Sequence, residues 1–233
     1  MNLFFLTPDS LNDQQFELRG DEAKHAAKVL RMRTGETVQA TDGMGTRYQG
    51  VIRSVNSDRV VADMKERVQV PHPQPSVTIA LGMIKKRDRL EFALEKCVEL
   101  GVSHFVLFQA VNSERSRVRM DRLEMIAKGA MKQSLRCWLP ELTLCDSLEE
   151  VLEACRSDLN LVADETKGAE AEPADSRPLA GSYLIIIGPE GGFSTEERGY
   201  LAEQSVSPFS LGHYRLRAET AAIASMCRFL PAP

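Results

Sequence analysis

Two stretches near the C-terminus hold residue types and spacings from which chemistry could be built. The first is Gly188-Pro189-Glu190-Gly191-Gly192-Phe193-Ser194, reached directly from Leu184-Ile185-Ile186-Ile187. Four consecutive branched apolar residues predict a short strand buried on both faces. The strand runs into a turn with three glycines and a proline. Ser194 then opens a helix, with Glu197 at the spacing of a capping box. Open α/β sheets bind small ligands where a buried strand ends in such a turn. The glycines let main-chain N–H and C=O groups approach a ligand with no Cβ in the way. A tight βα turn that holds no ligand fits the same pattern.

The second stretch is Leu211-Gly212-His213-Tyr214-Arg215-Leu216-Arg217-Ala218-Glu219-Thr220-Ala221-Ala222, after a strand predicted over 207–211. Again a strand ends, a glycine appears and a helix begins. Two such turns would put two main-chain loops at the same edge of one sheet.

The elements that must position these loops follow from the patterning upstream. After residue 75 the chain alternates strands, predicted over 77–83, 104–110, 142–145 and 160–164, with helices over 89–100, 121–137 and 147–156. Gly101 closes the first helix and Pro140 lies beyond the second. Alternation of this kind implies a mostly parallel sheet covered on both faces. Residues 168–181 are poor in apolar side chains and contain Pro173 and Pro178, which predicts an exposed loop. The first seventy residues read instead as short strands over 37–41, 48–54 and 59–65 with one helix over 21–30, a small β-rich barrel. Pro71, Pro73 and Pro75 can neither pair in a sheet nor continue a helix and form a stiff spacer. The expected division is a barrel over 1–70, a linker over 71–75 and an α/β domain over 76–233.

Bulk properties exclude several classes. Hydrophobic content of 43% and charged content of 27% are those of an ordinary soluble globular protein. No apolar run approaches membrane-spanning length, and Leu3-Phe4-Phe5-Leu6 is too short for a signal peptide. The five cysteines are scattered with no Cys-x-x-Cys pair, against both a disulfide framework and a zinc site and in keeping with thiols in a reducing cytoplasm. The net charge of −4 indicates no global attraction to nucleic acid, yet it hides a segregation. Residues 76–140 carry twelve Lys/Arg against seven Asp/Glu, and residues 141–183 three against eleven. A basic third beside an acidic third suggests one face that meets a polyanion; solvated helix faces fit the same count.

In order along the chain, these motifs resemble the RsmE family of SPOUT-class methyltransferases, which methylate N3 of a uridine in small-subunit ribosomal RNA. The resemblance is carried by His25 with Val29-Leu30-Arg31 and Gly35; by Lys86 with Asp88, Glu91, Lys96 and Glu99-Leu100-Gly101; by Ser113-Glu114-Arg115-Ser116; by Gln133-Ser134 with Arg136 and Pro140; and above all by the two glycine turns. Four positions depart from the family's usual pattern. Tyr214 stands where the family has Arg, Arg215 where it has an aliphatic residue, Lys132 where it has Glu, and Arg87 where it has Gly. The first two together are expected to move a positive charge by one position beside the cofactor loop.

The resemblance implies a PUA-like RNA-binding barrel followed by a SPOUT domain with a deep trefoil knot, working as a cytoplasmic homodimer without a metal. It implies S-adenosylmethionine held by main-chain groups around Gly188, Pro189, Glu190, Gly191, Gly192, Leu211, Gly212, Leu216, Arg217, Ala218, Thr220 and Ala221. Removal of the uridine N3 proton leaves charge on the flanking carbonyl oxygens, which an arginine in a dry site stabilises. Arg217 and Arg115 are the candidates, with Arg215 behind them. Glu219 takes the proton, holds Arg217, or is a helix-start carboxylate favoured by the dipole; Arg115 fits a phosphate contact as well. Contacts to 16S ribosomal RNA or the small subunit are expected from Lys85, Lys86, Arg87, Arg89, Arg115, Arg117 and Arg119, extended by Arg31 and Arg33. A SPOUT enzyme with another RNA target, and a non-catalytic RNA-binding protein of the same fold, share most of these features.

Overall fold

The computed structural model describes residues 2–114, 118–155, 157–163 and 181–230. They form two compact units. The first takes the chain up to His72 together with Lys128–Leu139, and the second takes Pro73–Ala127 and the chain from Pro140 on.

The first unit is a five-stranded sheet ordered β1-β3-β4-β5-β2. Its strands are β1 (Leu3–Phe5), β2 (Gln15–Arg19), β3 (Thr37–Thr41), β4 (Thr46–Val55) and β5 (Arg59–Gln69). Periodicity had marked only the last three; β1 and β2 are short and lie at the sheet's edges. Alternate residues of β4 point inward, so Tyr48 and Ile52 join Phe4, Phe16, Leu18 and Val60 in one core. The helix expected over 21–30 is α1 (Gly20–Lys24), which continues as a π-helical turn over His25–Val29. Arg31 leaves that turn with φ 54°.

The second unit is a six-stranded, wholly parallel sheet ordered β11-β9-β10-β6-β7-β8. Its strands are β6 (Ser76–Gly82), β7 (His104–Phe108), β8 (Glu141–Cys145), β9 (Leu159–Ala163), β10 (Ser182–Ile187) and β11 (Ser207–Phe209). β10 sits between β6 and β9, and Tyr183 through Ile187 are all buried, as a strand covered on both faces requires. Leu184 and Ile186 join the core beneath α4 (Leu148–Ala154) and α5 (Thr195–Glu203). Tyr183 meets Phe229, just past the end of α6 (Ala218–Arg228), at a ring separation of 5.0 Å. Full burial of such side chains is worth about 1.5–3 kcal/mol each. α6 packs on α2 (Arg87–Glu99) and lies along β6 and β10. β11 is shorter than expected and carries Pro208, which an edge strand tolerates.

The long helix α3 (Met120–Gln133) stops four residues before the expected end. Leu135 takes φ 59°, and the Arg136 N–H reaches back to the Met131 carbonyl at 3.0 Å, a closing bond normally made around glycine. The chain is thereby turned so that the Trp138 indole donates to the Val70 and Pro71 carbonyls at 3.0 and 3.1 Å. The loop expected over 168–181 lies, except for Gly181, outside the described residues, as do Asp164 and Arg156.

Candidate functional site

The two glycine turns meet. A cavity of about 530 Å3 is lined by Gly188, Pro189, Glu190, Gly192 and Phe193 from the first, and by Arg215, Leu216, Arg217, Ala218 and Ala221 from the second. Ile187, Ala163, Arg89 and Arg198 complete the wall. Of the residues expected to bind a cofactor, Gly191, Leu211, Gly212 and Thr220 are not part of this lining.

The first turn is held from three sides. Ser194 and Glu197 form the predicted capping box at the start of α5. Glu197 is buried, and its two oxygens serve different segments: one accepts from Ser194 N at 2.8 Å, the other from Val111 N at 3.0 Å. Asn112 donates its amide to the carbonyls of Gly191 and Gly192, each at 3.3 Å. Glu190 accepts from Lys85 N at 3.2 Å. A Cβ on Gly191 would lie 2.9 Å from the Cβ and carbonyl oxygen of Asn112, and one on Gly82 would lie 2.7 Å from Pro189. Gly191 is therefore bare to admit the segment after β7, and Gly82 to admit the proline of the turn. Sequence reasoning missed Gly82 and Asn112, because their partners lie far along the chain, and it missed Arg198 on the cavity wall.

In the second turn Tyr214 is 89% exposed, while Arg215 lines the cavity. Arg215 shares that wall with Arg89, Arg198 and Arg217. Arg217 is the N-cap of α6 and its side chain makes no cap bond. Among the described residues its guanidinium has no ion pair or hydrogen bond. Glu219, in the first turn of α6, is buried; one oxygen lies 3.5 Å from Arg89 Nε, and Oε2 has no hydrogen-bond partner among the described residues. The pairing of Glu219 is thus with Arg89, not Arg217.

The remaining basic candidates separate by exposure. Lys85 pairs with Glu114 at 2.9 Å, Arg87 with Glu91 at 3.4 Å and Arg119 with Asp121 at 2.6 Å. The Glu114 bond pushes the Lys85 ammonium above its ordinary range, and the Asp121 bond does the same to Arg119. Arg122 grips Glu91 and holds that carboxyl below its ordinary value, with Arg87 adding to the effect. Lys86, at the N-cap of α2, is exposed, as are Arg31 and Arg33 in the first unit. Lys132 pairs with Glu22 within the first unit. Arg115 and Arg117 lie outside the described residues. No group of three metal-binding side chains occurs among the described residues, and no helix there is long and apolar enough to cross a membrane.

Residues 71–229 match the RNA methyltransferase domain family, and residues 18–65 match the RNA methyltransferase PUA domain. The ribosomal RNA small subunit methyltransferase E of Bacillus subtilis is 31% identical over 91% of this chain and 88% of its own. The chain belongs to the RsmE family of RNA methyltransferases. A probable rRNA methyltransferase from Porphyromonas gingivalis superposes with a TM-score of 0.87 at 33% identity, over 97% of this chain and 96% of that one. The family enzyme of Neisseria gonorrhoeae, solved bound to S-adenosyl methionine, gives a TM-score of 0.84 at 27% identity, over 97% and 95% of the two chains. The fold class is that of the family: a PUA domain followed by a parallel α/β methyltransferase domain.

Proposed function

We propose that this protein transfers a methyl group from S-adenosylmethionine to N3 of one uridine in 16S ribosomal RNA, acting in the cytoplasm as a homodimer. The observation that carries the reading is Arg217: an arginine on the wall of a glycine-lined cavity whose guanidinium no described carboxylate neutralises. A cavity of about 530 Å3 falls in the range of ~300–1,000 Å3 used for small ligands and cofactors. Its walls fit the cofactor. Gly188, Gly192, Ala218 and Ala221 leave main-chain donors and acceptors accessible to an adenine edge and a ribose. The first N–H groups of α6 face no helical partner and favour an electron-rich group. The trefoil knot of the family belongs to the same reading.

When bound, the cofactor supplies a methyl group already activated on a sulfonium. The chain's own residues must therefore position the base and manage one proton. The proton from N3 leaves to solvent water, because Glu219 Oε2 is buried and outside the cavity lining; Glu219 Oε1 instead holds Arg89 on the cavity wall. Arg217 stabilises the charge that then spreads over the two flanking carbonyl oxygens. Gly188, Gly192, Ala218 and Ala221 would hold the donor, which would give its methyl group to N3 and depart as a neutral thioether. Lys85, Lys86, Arg87 and Arg119, with Arg31 and Arg33 on the PUA domain and Arg115 and Arg117 between β7 and α3, contact phosphates. Exposed ion pairs such as Lys85–Glu114 are weak in water, so exchange for a phosphate costs little. The target uridine must leave its stack to reach the cavity.

Arg217→Ala is expected to lower kcat about 100–1,000-fold while cofactor affinity, measured by calorimetry, and melting temperature stay near the parent's. Mass spectrometry of ribosomal RNA from cells lacking the protein locates the methyl group. Near-normal turnover by the variant removes Arg217 from the mechanism, and rRNA without a missing N3-methyluridine ends the assignment.

A further inference from the structure

The cavity wall carries four arginines, Arg89, Arg198, Arg215 and Arg217, and one carboxylate, that of Glu190. Such a wall attracts anions and repels cations. S-adenosylmethionine offers it two cationic groups, the sulfonium and the ammonium, and a single anionic one, the carboxylate of its amino-acid end. The four arginines are not equivalent. Arg215 and Arg217 are exposed on the second turn, within reach of a polymer. Arg89 is recessed: its side chain is 24% exposed, against 65%, 72% and 61% for Lys85, Arg87 and Arg119. It stands in the first turn of α2, where the helix dipole disfavours a cation. α6 packs on α2 and brings Glu219 Oε1 to 3.5 Å from Arg89 Nε. That contact engages one edge of the guanidinium. Among the described residues the terminal nitrogens of Arg89 donate no hydrogen bond, so it keeps a pair of donors on a wall suited to an anion.

We infer that Arg89 takes the carboxylate of bound S-adenosylmethionine through its two terminal nitrogens, and is not one of the RNA phosphate contacts. The inference rests on the cofactor reading above. A planar guanidinium meets a carboxylate by two parallel N–H···O bonds, and the contact with Glu219 limits how that plane can turn. A phosphate carried on an RNA backbone meets the exposed cations first, Lys85, Arg87 and Arg119 among them.

The test compares S-adenosylmethionine with its decarboxylated form by calorimetry on the full-length protein, with RNA affinity across a salt series and melting temperature as further readouts. The parent is expected to bind the intact donor about 100-fold more tightly. Arg89→Gln is expected to narrow that gap to within about fivefold, chiefly by weakening the intact donor, with RNA affinity and its salt slope unchanged. Arg89→Lys, which keeps the charge and loses the fork, is expected to hold a gap of about tenfold. Arg198→Gln and Arg215→Gln remove the same charge from the same wall and are expected to leave most of the gap. A parent that binds both forms equally overturns the inference without any variant. So does a gap that survives Arg89→Gln. A gap that closes equally in all three glutamine variants overturns it too, because the summed charge of the wall is then at work and no particular contact. An Arg89→Gln protein that loses RNA affinity, with a salt slope lower by about one, makes Arg89 a phosphate contact and the inference wrong. A parent protein that gives no heat with S-adenosylmethionine shows the failure in the cofactor reading itself.

Discussion

At the scale of single residues, the glycines of the first turn do two different jobs. Gly188 and Gly192 border the cavity, while Gly191 is turned to Asn112. A methyl group at 191 would sit 2.9 Å from the main-chain oxygen of Asn112, an atom that cannot swing aside as a side-chain tip can. Gly191→Ala is therefore expected to cost about 1–3 kcal/mol in urea denaturation and to weaken cofactor binding only through displacement of the turn. Asn112→Ala removes two 3.3 Å bonds and adds no clash, so its cost should be nearer 1 kcal/mol. A Gly191→Ala protein as stable as the parent would show that the segment after β7 yields freely. In the second turn Tyr214 faces solvent and Arg215 lines the cavity.

At the scale of elements, the cavity depends on α5 being anchored at its first turn. Glu197 joins that turn to the segment after β7 through two separate N–H groups. Glu197→Ala keeps the Ser194 hydroxyl's bond to the N–H of residue 197 but leaves Ser194 N and Val111 N without their acceptor, for an expected loss of about 2–4 kcal/mol by chemical denaturation. Glu197→Gln, which keeps one acceptor, should lose roughly half as much. Equal stability of both variants would mean that water replaces the carboxylate at no cost. Much of this architecture was legible in the residues themselves. An apolar run, glycines and a serine–glutamate spacing mark β10, its turn and the cap, because each is a local rule. The partner of Arg89 was not legible, since Glu219 lies at the start of a different helix and only the packing of α2 on α6 joins them. The end of α3 was hidden for another reason: Leu135 occupies a left-handed position that a sequence signals only when glycine or asparagine stands there.

At the scale of the whole molecule, a division at the proline-rich segment looks natural, yet Lys128–Leu139 counts with the first unit. That segment supplies the Cys137 carbonyl, which accepts from Gly45 N at 2.8 Å, and the Leu139 N–H, which donates to the Gly43 carbonyl at 2.8 Å. It also supplies Trp138, whose ring leaves no room for a Cβ on Gly45, at 2.3 Å. A fragment that begins at residue 76 would keep the whole parallel sheet but strip this segment of its partners. Trp138 alone would then expose an aromatic surface of the 150–250 Å2 class, and two main-chain hydrogen bonds would be lost. The fragment is expected to melt below the intact chain and to bind a dye for exposed apolar surface. A second fragment carrying Trp138→Ser should bind less dye. The PUA domain's contribution to RNA binding is therefore better tested in the intact chain, with Arg31→Ala and Arg33→Ala, than by truncation. A fragment as stable and as dye-silent as the parent would show that the α/β unit folds alone and that Lys128–Leu139 finds new partners within it.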